Sequence, residues 1–97
     1  MVFLLLLIAL LALPLPALAQ TLRGIVLDRN GKKKPFVSVN IAGVRRVITR
    51  TGQDGGFTVG PLPAGSYLVT IREGRNRQEF YVTIQDGENS ETFRLGW

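Results

Sequence analysis

The sequence contains no cysteine and no histidine. Without cysteine, no disulfide can staple the fold, and a lipid anchor attached through a cysteine thiol is excluded. Without either residue, the Ser-His and Cys-His pairs of common hydrolases cannot be built, and zinc lacks its preferred ligands. The glycine-rich phosphate-binding patterns of nucleotide enzymes are also absent. We therefore predict that the protein is not an enzyme and holds no cofactor and no metal.

Charged side chains are missing from the N-terminus. Residues 1–19 contain none, and residues 2–13 form an unbroken apolar run. Pro14 and Pro16 then break any helix, and a small-x-small triplet ends the segment at Ala19. This pattern predicts a secretory signal peptide over 1–19, with export to the periplasm or the cell exterior. The alternative, a transmembrane anchor, needs about 20 apolar residues, which is more than the run supplies.

The remaining segment, residues 20–97, is predicted to be one small domain. It carries all the charged side chains and therefore the whole net charge of +5. A basic balance of this kind favours anionic partners such as acidic polysaccharide, lipid headgroups or nucleic acid. The alternative is a solvated basic surface that only keeps the protein soluble.

Short alternating runs between Gly and Pro turns, with no helical period, are typical of an all-β sandwich. Within one run, for example, Val37, Val39 and Ile41 alternate with polar or small residues. Leu68, Thr70 and Arg72 are expected to face outward, and residues 73–77 to form a polar hairpin loop. The seven predicted strands cover residues 21–27, 36–42, 45–51, 57–59, 67–72, 78–84 and 91–95.

Three segments contain the turn-forming glycines, acids and aromatics of the domain: residues 24–31, 35–41 and 51–67. Gly55 and Gly65 are expected at turn positions with positive φ. Tyr67 is expected to form a tyrosine corner, with its ring inside and its hydroxyl on a backbone group. We assign a structural role to nine motif residues: Gly24, Asp28, Gly31, Asp54, Gly55, Phe57, Leu62, Gly65 and Tyr67.

In order and spacing, these segments resemble the "G-x-V-x-D-x-x-G" start, the second strand and the "T-D-x-D-G-x-F…L-P-x-G-x-Y" hallmark of carboxypeptidase regulatory-like domains. The resemblance implies a seven-stranded, Greek-key, transthyretin-like β-sandwich. It also implies a non-enzymatic accessory or interaction module on exported proteins. Gly52 stands where the family pattern has an acid, so we expect a looser turn in which Asp54 supplies part of the hydrogen bonding.

Basic residues cluster in three predicted loops and are the candidate contacts for an anion: Lys32, Lys33, Lys34, Arg45, Arg46, Arg75 and Arg77. If two of these loops meet at one end of the sandwich, bidentate arginine contacts could hold an anionic glycan or a lipid headgroup. Nucleic acid is disfavoured, because no aromatic residues are interleaved with the charges. The alternative is separate solvated loops.

Three functional hypotheses follow. The first is an exported, non-enzymatic module that binds a protein partner, or a second copy of itself, through a sheet edge. The second is a carbohydrate- or anionic-glycan-binding domain that uses the basic loops. The third is an enzyme that uses carboxylates alone, for which Asp86, Glu88 and Glu91 are close in sequence.

Overall fold

The computed structural model describes residues 20–97, so the predicted signal peptide lies outside the described part of the chain. Residues 20–97 contain no helix that is long and apolar enough to cross a membrane. All regular structure in this part consists of strands: β1 (Thr21–Leu27), β2 (Ser38–Ala42), β3 (Val47–Arg50), β4 (Gly56–Val59), β5 (Gly65–Glu73), β6 (Asn76–Ile84) and β7 (Glu88–Arg94).

The strands form two sheets that pack face to face. One sheet has three strands in the order β4-β1-β7, and the other has four in the order β3-β2-β5-β6. β1 lies at the centre of the smaller sheet, antiparallel to β4 and parallel to β7. In the larger sheet all neighbours are antiparallel. The predicted all-β, seven-stranded, Greek-key sandwich of transthyretin-like type is thereby confirmed.

The predicted strand boundaries were wrong at several ends. β2 begins at Ser38 rather than at residue 36, because Phe36 has a φ of 57° and turns the chain before the strand starts. β3 covers only Val47–Arg50. β7 begins at Glu88 and ends at Arg94, because its first residues pair in parallel with the start of β1.

The segment predicted as a polar hairpin loop, residues 73–77, is a hairpin with a turn of only two residues. Glu73 pairs with Asn76 across the two-residue turn Gly74-Arg75, and Gly74 has a φ of 60°. Glycine adopts this left-handed conformation at little steric cost, so β5 and β6 extend to the turn itself. The larger sheet therefore has two nine-residue strands at this point.

The core lies between the sheets and contains the inward-facing set expected from alternation. Its members are the buried side chains of Leu22, Val26, Val37, Val39, Ile41, Phe57, Val59, Leu62, Tyr67, Val69, Ile71, Val82, Ile84, Phe93 and Leu95. The Phe57 and Phe93 rings are stacked, and Phe80 meets Phe93 edge-on. Gly24 lies directly opposite Phe57, whose ring occupies the space where a side chain at position 24 would be.

Thr70 departs from expectation. It lies on the outer face of β5, as predicted, but only 8% of its surface is exposed. The reason is its central place in the sheet, since Asn40 of β2 and Glu79 of β6 flank it on both sides. Solvent is excluded from the middle of this outer face even though no second layer covers it in residues 20–97.

Candidate functional site

The turn at residues 52–56, where Gly52 replaces the acid of the family pattern, is closed by main-chain hydrogen bonds. The Gly52 N–H donates to the Gly56 carbonyl at 2.8 Å, and the Gly55 N–H donates to the Gly52 carbonyl at 3.0 Å. Asp54 Oδ1 accepts from the Gly56 N–H at 3.0 Å, as expected. Gly55 has a φ of 76°, and a Cβ there would lie 3.0 Å from the Val26 carbonyl oxygen. Main-chain bonds and Asp54 thus close this turn without an acid at position 52.

Tyr67 and Leu62 close one end of the sandwich. The Tyr67 side chain is buried, and its hydroxyl donates to the Pro63 carbonyl at 2.6 Å. Leu62 is fully buried, and its N–H donates to the Gln20 carbonyl at 2.9 Å. Gly65, the first residue of β5, has a φ of 147°. The Tyr67 ring is therefore part of the core and offers no surface to a ligand.

Asp28 organises the first lysine loop. Its Oδ1 accepts from the N–H groups of Asn30 and Lys32, each at 2.8 Å. The Lys32 N–H bond, with help from Asn30 and the nearby lysines, lowers the pKa of Asp28, although partial desolvation opposes the shift. Gly31, with a φ of 82°, completes the turn. The loop thus has one fixed conformation that leaves Lys32 and Lys33 exposed.

Lys34 has a structural partner. Its Nζ lies 2.5 Å from Glu73 Oε1, and the same oxygen accepts from Trp97 Nε1 at 3.0 Å. The Lys34 hydrogen bond, followed by the Trp97 bond, lowers the pKa of Glu73 against a smaller effect of desolvation. This cluster ties the lysine loop, the end of β5 and the C-terminus together. Trp97 therefore covers this end of the sandwich.

The seven candidate anion contacts do not form one patch. The Lys34–Glu73 ion pair brings the lysine loop and the β5–β6 hairpin, with Arg75 and Arg77, to the same end. Arg45 and its neighbour Arg46 lie at the opposite end, where the Arg45 guanidinium donates to the Pro61 carbonyl at 2.6 Å.

Two of the seven are also neutralised by carboxylates. Lys34 pairs with Glu73, and Arg77 pairs with Glu79 at 2.7 Å. Lys32, Lys33 and Arg75 remain exposed cations at the first end. Two of the three predicted basic loops thus meet at this end and leave three exposed cations there.

A different set of cations is aligned on the outer face of the larger sheet. The register places Arg50, Ser38, Arg72 and Arg77 side by side in one row across all four strands. We call Arg50, Arg72 and Arg77 the arginine row. Arg50 and Arg72 have no carboxylate within salt-bridge distance among residues 20–97. Alternation predicted the outward direction of Arg72 but not this row, because alternation reveals a face and not a register.

Next to the arginine row lie a polar row and an apolar row. The polar row consists of Asn40, Thr70 and Glu79, with Ile48 at its β3 end. The apolar row consists of Ala42, Leu68 and Tyr81. Asn40 Oδ1 is buried and has no hydrogen-bond donor in the described part of the chain. Ile48, the cross-strand neighbour of Asn40, is 67% exposed, and Tyr81 on β6 is 85% exposed.

The free side of β6 is the longest unpaired sheet edge among residues 20–97. β6 pairs with β5 on one side and with no strand of the described chain on the other. The two-residue turn makes Glu73 and Asn76 a hydrogen-bonded pair, so bonding to β5 falls on every second residue. The main-chain N–H and C=O groups of the alternate residues point to the free edge: Arg77, Glu79, Tyr81 and Thr83.

The carboxylates considered for catalysis lie apart from any enclosed site. Asp86 Oδ1 accepts from Gln20 Nε2 at 2.8 Å, and Glu88 and Glu91 are exposed on β7. Residues 20–97 contain no group of three potential metal ligands. A concavity of about 420 Å³ lies over β1 and β4, and the charged residues in its lining are Arg23 and Asp54. Asp54 Oδ1 accepts a hydrogen bond from the Gly56 N–H of its own turn.

The geometry thus defines a small β-sandwich with a free edge on β6 and a row of arginines on its outer face. The carboxypeptidase regulatory-like domain family matches residues 21–95, and the chain belongs to this family. No curated protein matches the chain.

Solved structures share the fold. The Bacillus anthracis TIE protein is similar with a TM-score of 0.65 and 17% identity, over 78% of this chain and 16% of that one. A DUF3823 family protein from Bacteroides uniformis is similar with a TM-score of 0.59 and 19% identity, over 78% of this chain and 42% of that one. The chain therefore spans less than half the length of either protein. The likeness extends to the fold, and with the family it makes the chain a β-sandwich accessory module.

Proposed function

We propose that the protein is an exported, non-enzymatic module that binds a protein partner by strand addition along the free edge of β6. The observation that carries the proposal is the edge itself. It is nine residues long, contains no proline and presents unpaired main-chain groups at four alternate positions. Such an edge offers a template for a further strand, and main-chain hydrogen bonds then supply most of the affinity.

The other sheet edges suit strand addition less well. β3 and β4 have four residues each, which is too short for an extended ladder. β7 has seven residues, two fewer than β6. Only β6 combines length with an exposed aromatic, Tyr81, on the face that an added strand would extend.

The proposal of export rests on the uncharged, apolar segment 1–19. The proposal of a non-enzymatic role rests on the lack of cysteine and histidine in the sequence. The family supports an accessory role. The partner is a protein segment in extended conformation, belonging either to another exported protein or to a second copy of this chain.

Two substitutions at one position test the edge. Glu79→Pro removes an N–H that points away from β5, and edge strands accept proline, so the sheet is expected to remain intact. Glu79→Ala removes the side chain and its bond to Arg77 but keeps the N–H. A photo-crosslinking residue at Thr83 in the exported protein then reports on the partner, with Thr92 on the exposed face of β7 as the control position.

Strand addition predicts a defined crosslinked product from Thr83, and none from Thr92. The product disappears with Glu79→Pro and persists with Glu79→Ala. Equal products from both positions, or equal loss with both substitutions, would show that the main chain of β6 is not the binding element.

A further inference from the structure

One end of the sandwich collects most of the positive charge of the domain. Strands β1, β3, β5 and β7 end there, and β2, β4 and β6 begin there. We call it the basic end. Its cations lie in the β1–β2 loop, in the β5–β6 turn and near the adjoining strand termini, and they are Arg29, Lys32, Lys33, Lys34, Arg50, Arg72, Arg75, Arg77 and Arg94.

Acids do not balance the charge of the basic end. The carboxylate side chains there are Asp28, Asp54 and Glu73, so nine cations against three acids leave a side-chain charge of +6. The rest of the domain has three cations against four acids and is close to neutral. This asymmetry along the strands favours a large anionic partner that approaches from the basic end.

Phe36 lies among these cations in an unfavourable backbone conformation. Its φ of 57° is in the left-handed region, which bulky residues rarely adopt, and 60% of its surface is exposed. Its N–H donates to the Thr51 carbonyl at 3.1 Å, and its carbonyl accepts from the Arg50 guanidinium at 2.9 Å, so both main-chain groups hold this conformation. Backbone strain at an exposed aromatic residue is typical of a functional position.

The basic end has no other large exposed apolar side chain among residues 20–97. The remaining ones lie on the sheet faces or at the opposite end, and they are Ile25, Val44, Ile48 and Tyr81. A single apolar ring is thus surrounded by cations that stand on separate loops and strand ends.

The acids of the basic end are engaged within the domain. Asp28 and Asp54 accept main-chain N–H groups of their own turns, and Glu73 accepts from Lys34 and Trp97. The end therefore presents mainly positive charge and hydrogen-bond donors. A small-molecule site needs convergent groups in a cavity. A surface of lipid phosphates needs only charge spread over an area and an apolar group that can enter it.

We propose that the basic end binds the surface of an anionic phospholipid bilayer, with Phe36 inserted at the headgroup boundary and the surrounding cations on the lipid phosphates. A nucleic acid would require a series of stacking rings, and this end has one. A glycan would require acceptors for its hydroxyl groups, and the acids here are engaged. The bilayer would contact the strand ends and leave Glu79, Tyr81 and Thr83 of the β6 edge free, so the site is independent of strand addition.

The test is flotation of the exported protein with two kinds of vesicle, at low and at high salt. One kind is phosphatidylcholine alone, and in the other phosphatidylglycerol replaces half of it. The double variant Lys32→Ala/Lys33→Ala removes two charges from the basic end. The matched control Arg23→Ala/Arg46→Ala removes two exposed charges elsewhere. Oligothymidylate and polygalacturonate are measured beside the vesicles as soluble anions.

Two substitutions of Phe36 separate insertion into a bilayer from stacking on a ring. Phe36→Asn removes the apolar group, and asparagine accepts a positive φ, so the fold should be retained. Phe36→Leu keeps an apolar group without an aromatic face. Urea unfolding of every variant confirms that the sandwich is intact.

We expect binding to the phosphatidylglycerol vesicles that weakens as salt is added, and little binding to phosphatidylcholine alone. Lys32→Ala/Lys33→Ala should weaken binding roughly tenfold or more, because each cation near an anionic surface contributes to the attraction. Arg23→Ala/Arg46→Ala should weaken it roughly twofold at most, because charges away from the surface are screened. Phe36→Asn should weaken it several-fold, and Phe36→Leu should retain most of it.

Three results would overturn the proposal. The first is failure of the unmodified protein to bind the phosphatidylglycerol vesicles. The second is equal weakening by the two double variants, which would place the charge dependence on the whole molecule rather than on the basic end. The third is tighter binding to a soluble anion than to the vesicles, with loss in Phe36→Leu, which would assign the ring to stacking on a polymer.

Discussion

Gly24 and Phe57 face each other across β1 and β4, and a Cβ at position 24 would lie 2.3 Å from the Phe57 ring. The ring is part of the core and stacks on Phe93, so moving it would disturb that packing. Gly24→Ala is therefore expected to lower the free energy of unfolding by about 3 kcal/mol, the upper range for overpacking. Urea unfolding measures the change.

Gly96→Ala is the matched control for that substitution. The nearest atom to a Cβ there is Gln78 Oε1 at 3.6 Å, which is ordinary contact. Its effect should stay within about 0.5 kcal/mol. A Gly24→Ala variant as stable as Gly96→Ala would contradict the close packing of β1 on β4.

Thr51 connects the loop before β2 to the end of β3. Its buried hydroxyl donates to the Lys34 carbonyl at 2.7 Å and accepts from the Val37 N–H at 2.9 Å. Thr51→Val keeps the shape and leaves both main-chain groups without a partner, so we expect a loss of about 2–3 kcal/mol. Thr58→Val, at an exposed position on β4, should be nearly neutral. Similar unfolding midpoints for the two variants would show that the hydroxyl has no such role.

Tyr67 and Tyr81 provide a matched pair of hydroxyl deletions. Tyr67→Phe removes the bond to the Pro63 carbonyl and should cost about 1–2 kcal/mol of unfolding free energy. Tyr81→Phe should leave stability unchanged, because the residue is 85% exposed. If thermal unfolding gave the same midpoint for both variants, the tyrosine corner would not stabilise this sandwich.

Glu73 gives the stability a dependence on pH. Its pKa is lowered in the folded protein by the hydrogen bonds from Lys34 and then Trp97. A lowered folded-state pKa means that the contribution is present above the unfolded-state pKa and is lost as the pH falls through the folded-state pKa. Because the side chain is 41% exposed, the gain is at most about 1 kcal/mol after solvent screening.

Glu73→Gln tests this contribution. It keeps an acceptor for Trp97 and removes the charge that pairs with Lys34. The unmodified protein should be more stable than the variant at neutral pH, and the difference should shrink as the pH falls below the ordinary glutamate range. A difference that stayed constant from neutral to acidic pH would mean that the charge of Glu73 is not involved.

The sequence predicted the two layers of this fold better than the register of the strands within them. The alternation of Val37, Val39 and Ile41, and the turn before Tyr67, were sufficient to predict the sandwich and its core. Alternation depends on one strand at a time and therefore cannot show that Arg72 lies opposite Arg77. The pairing of Arg72 with Arg77 depends on the length of the β5–β6 turn, and the alignment of Arg50 depends on pairing between strands that are distant in sequence. Neither follows from alternation, which is why the arginine row was missed.

The charge of the predicted basic loops also depends on tertiary contacts. Two of the three loops meet at one end of the sandwich, but Lys34 pairs there with Glu73, which is 39 residues away in the chain. The β5–β6 turn contains Gly74, whose positive φ suits the two-residue connection between the strands. Local composition identified exposed charges, but only tertiary contacts decide which of them stay unpaired.

The central claim is that the free edge of β6 binds a partner strand, and amide hydrogen exchange tests it most directly. In the free protein, the N–H groups of Arg77, Glu79, Tyr81 and Thr83 should exchange rapidly, while the alternate amides bonded to β5 are protected. Addition of the partner identified by crosslinking should protect these four amides. Protection that appeared on β7 or in the loops, with these four unchanged, would contradict strand addition at β6.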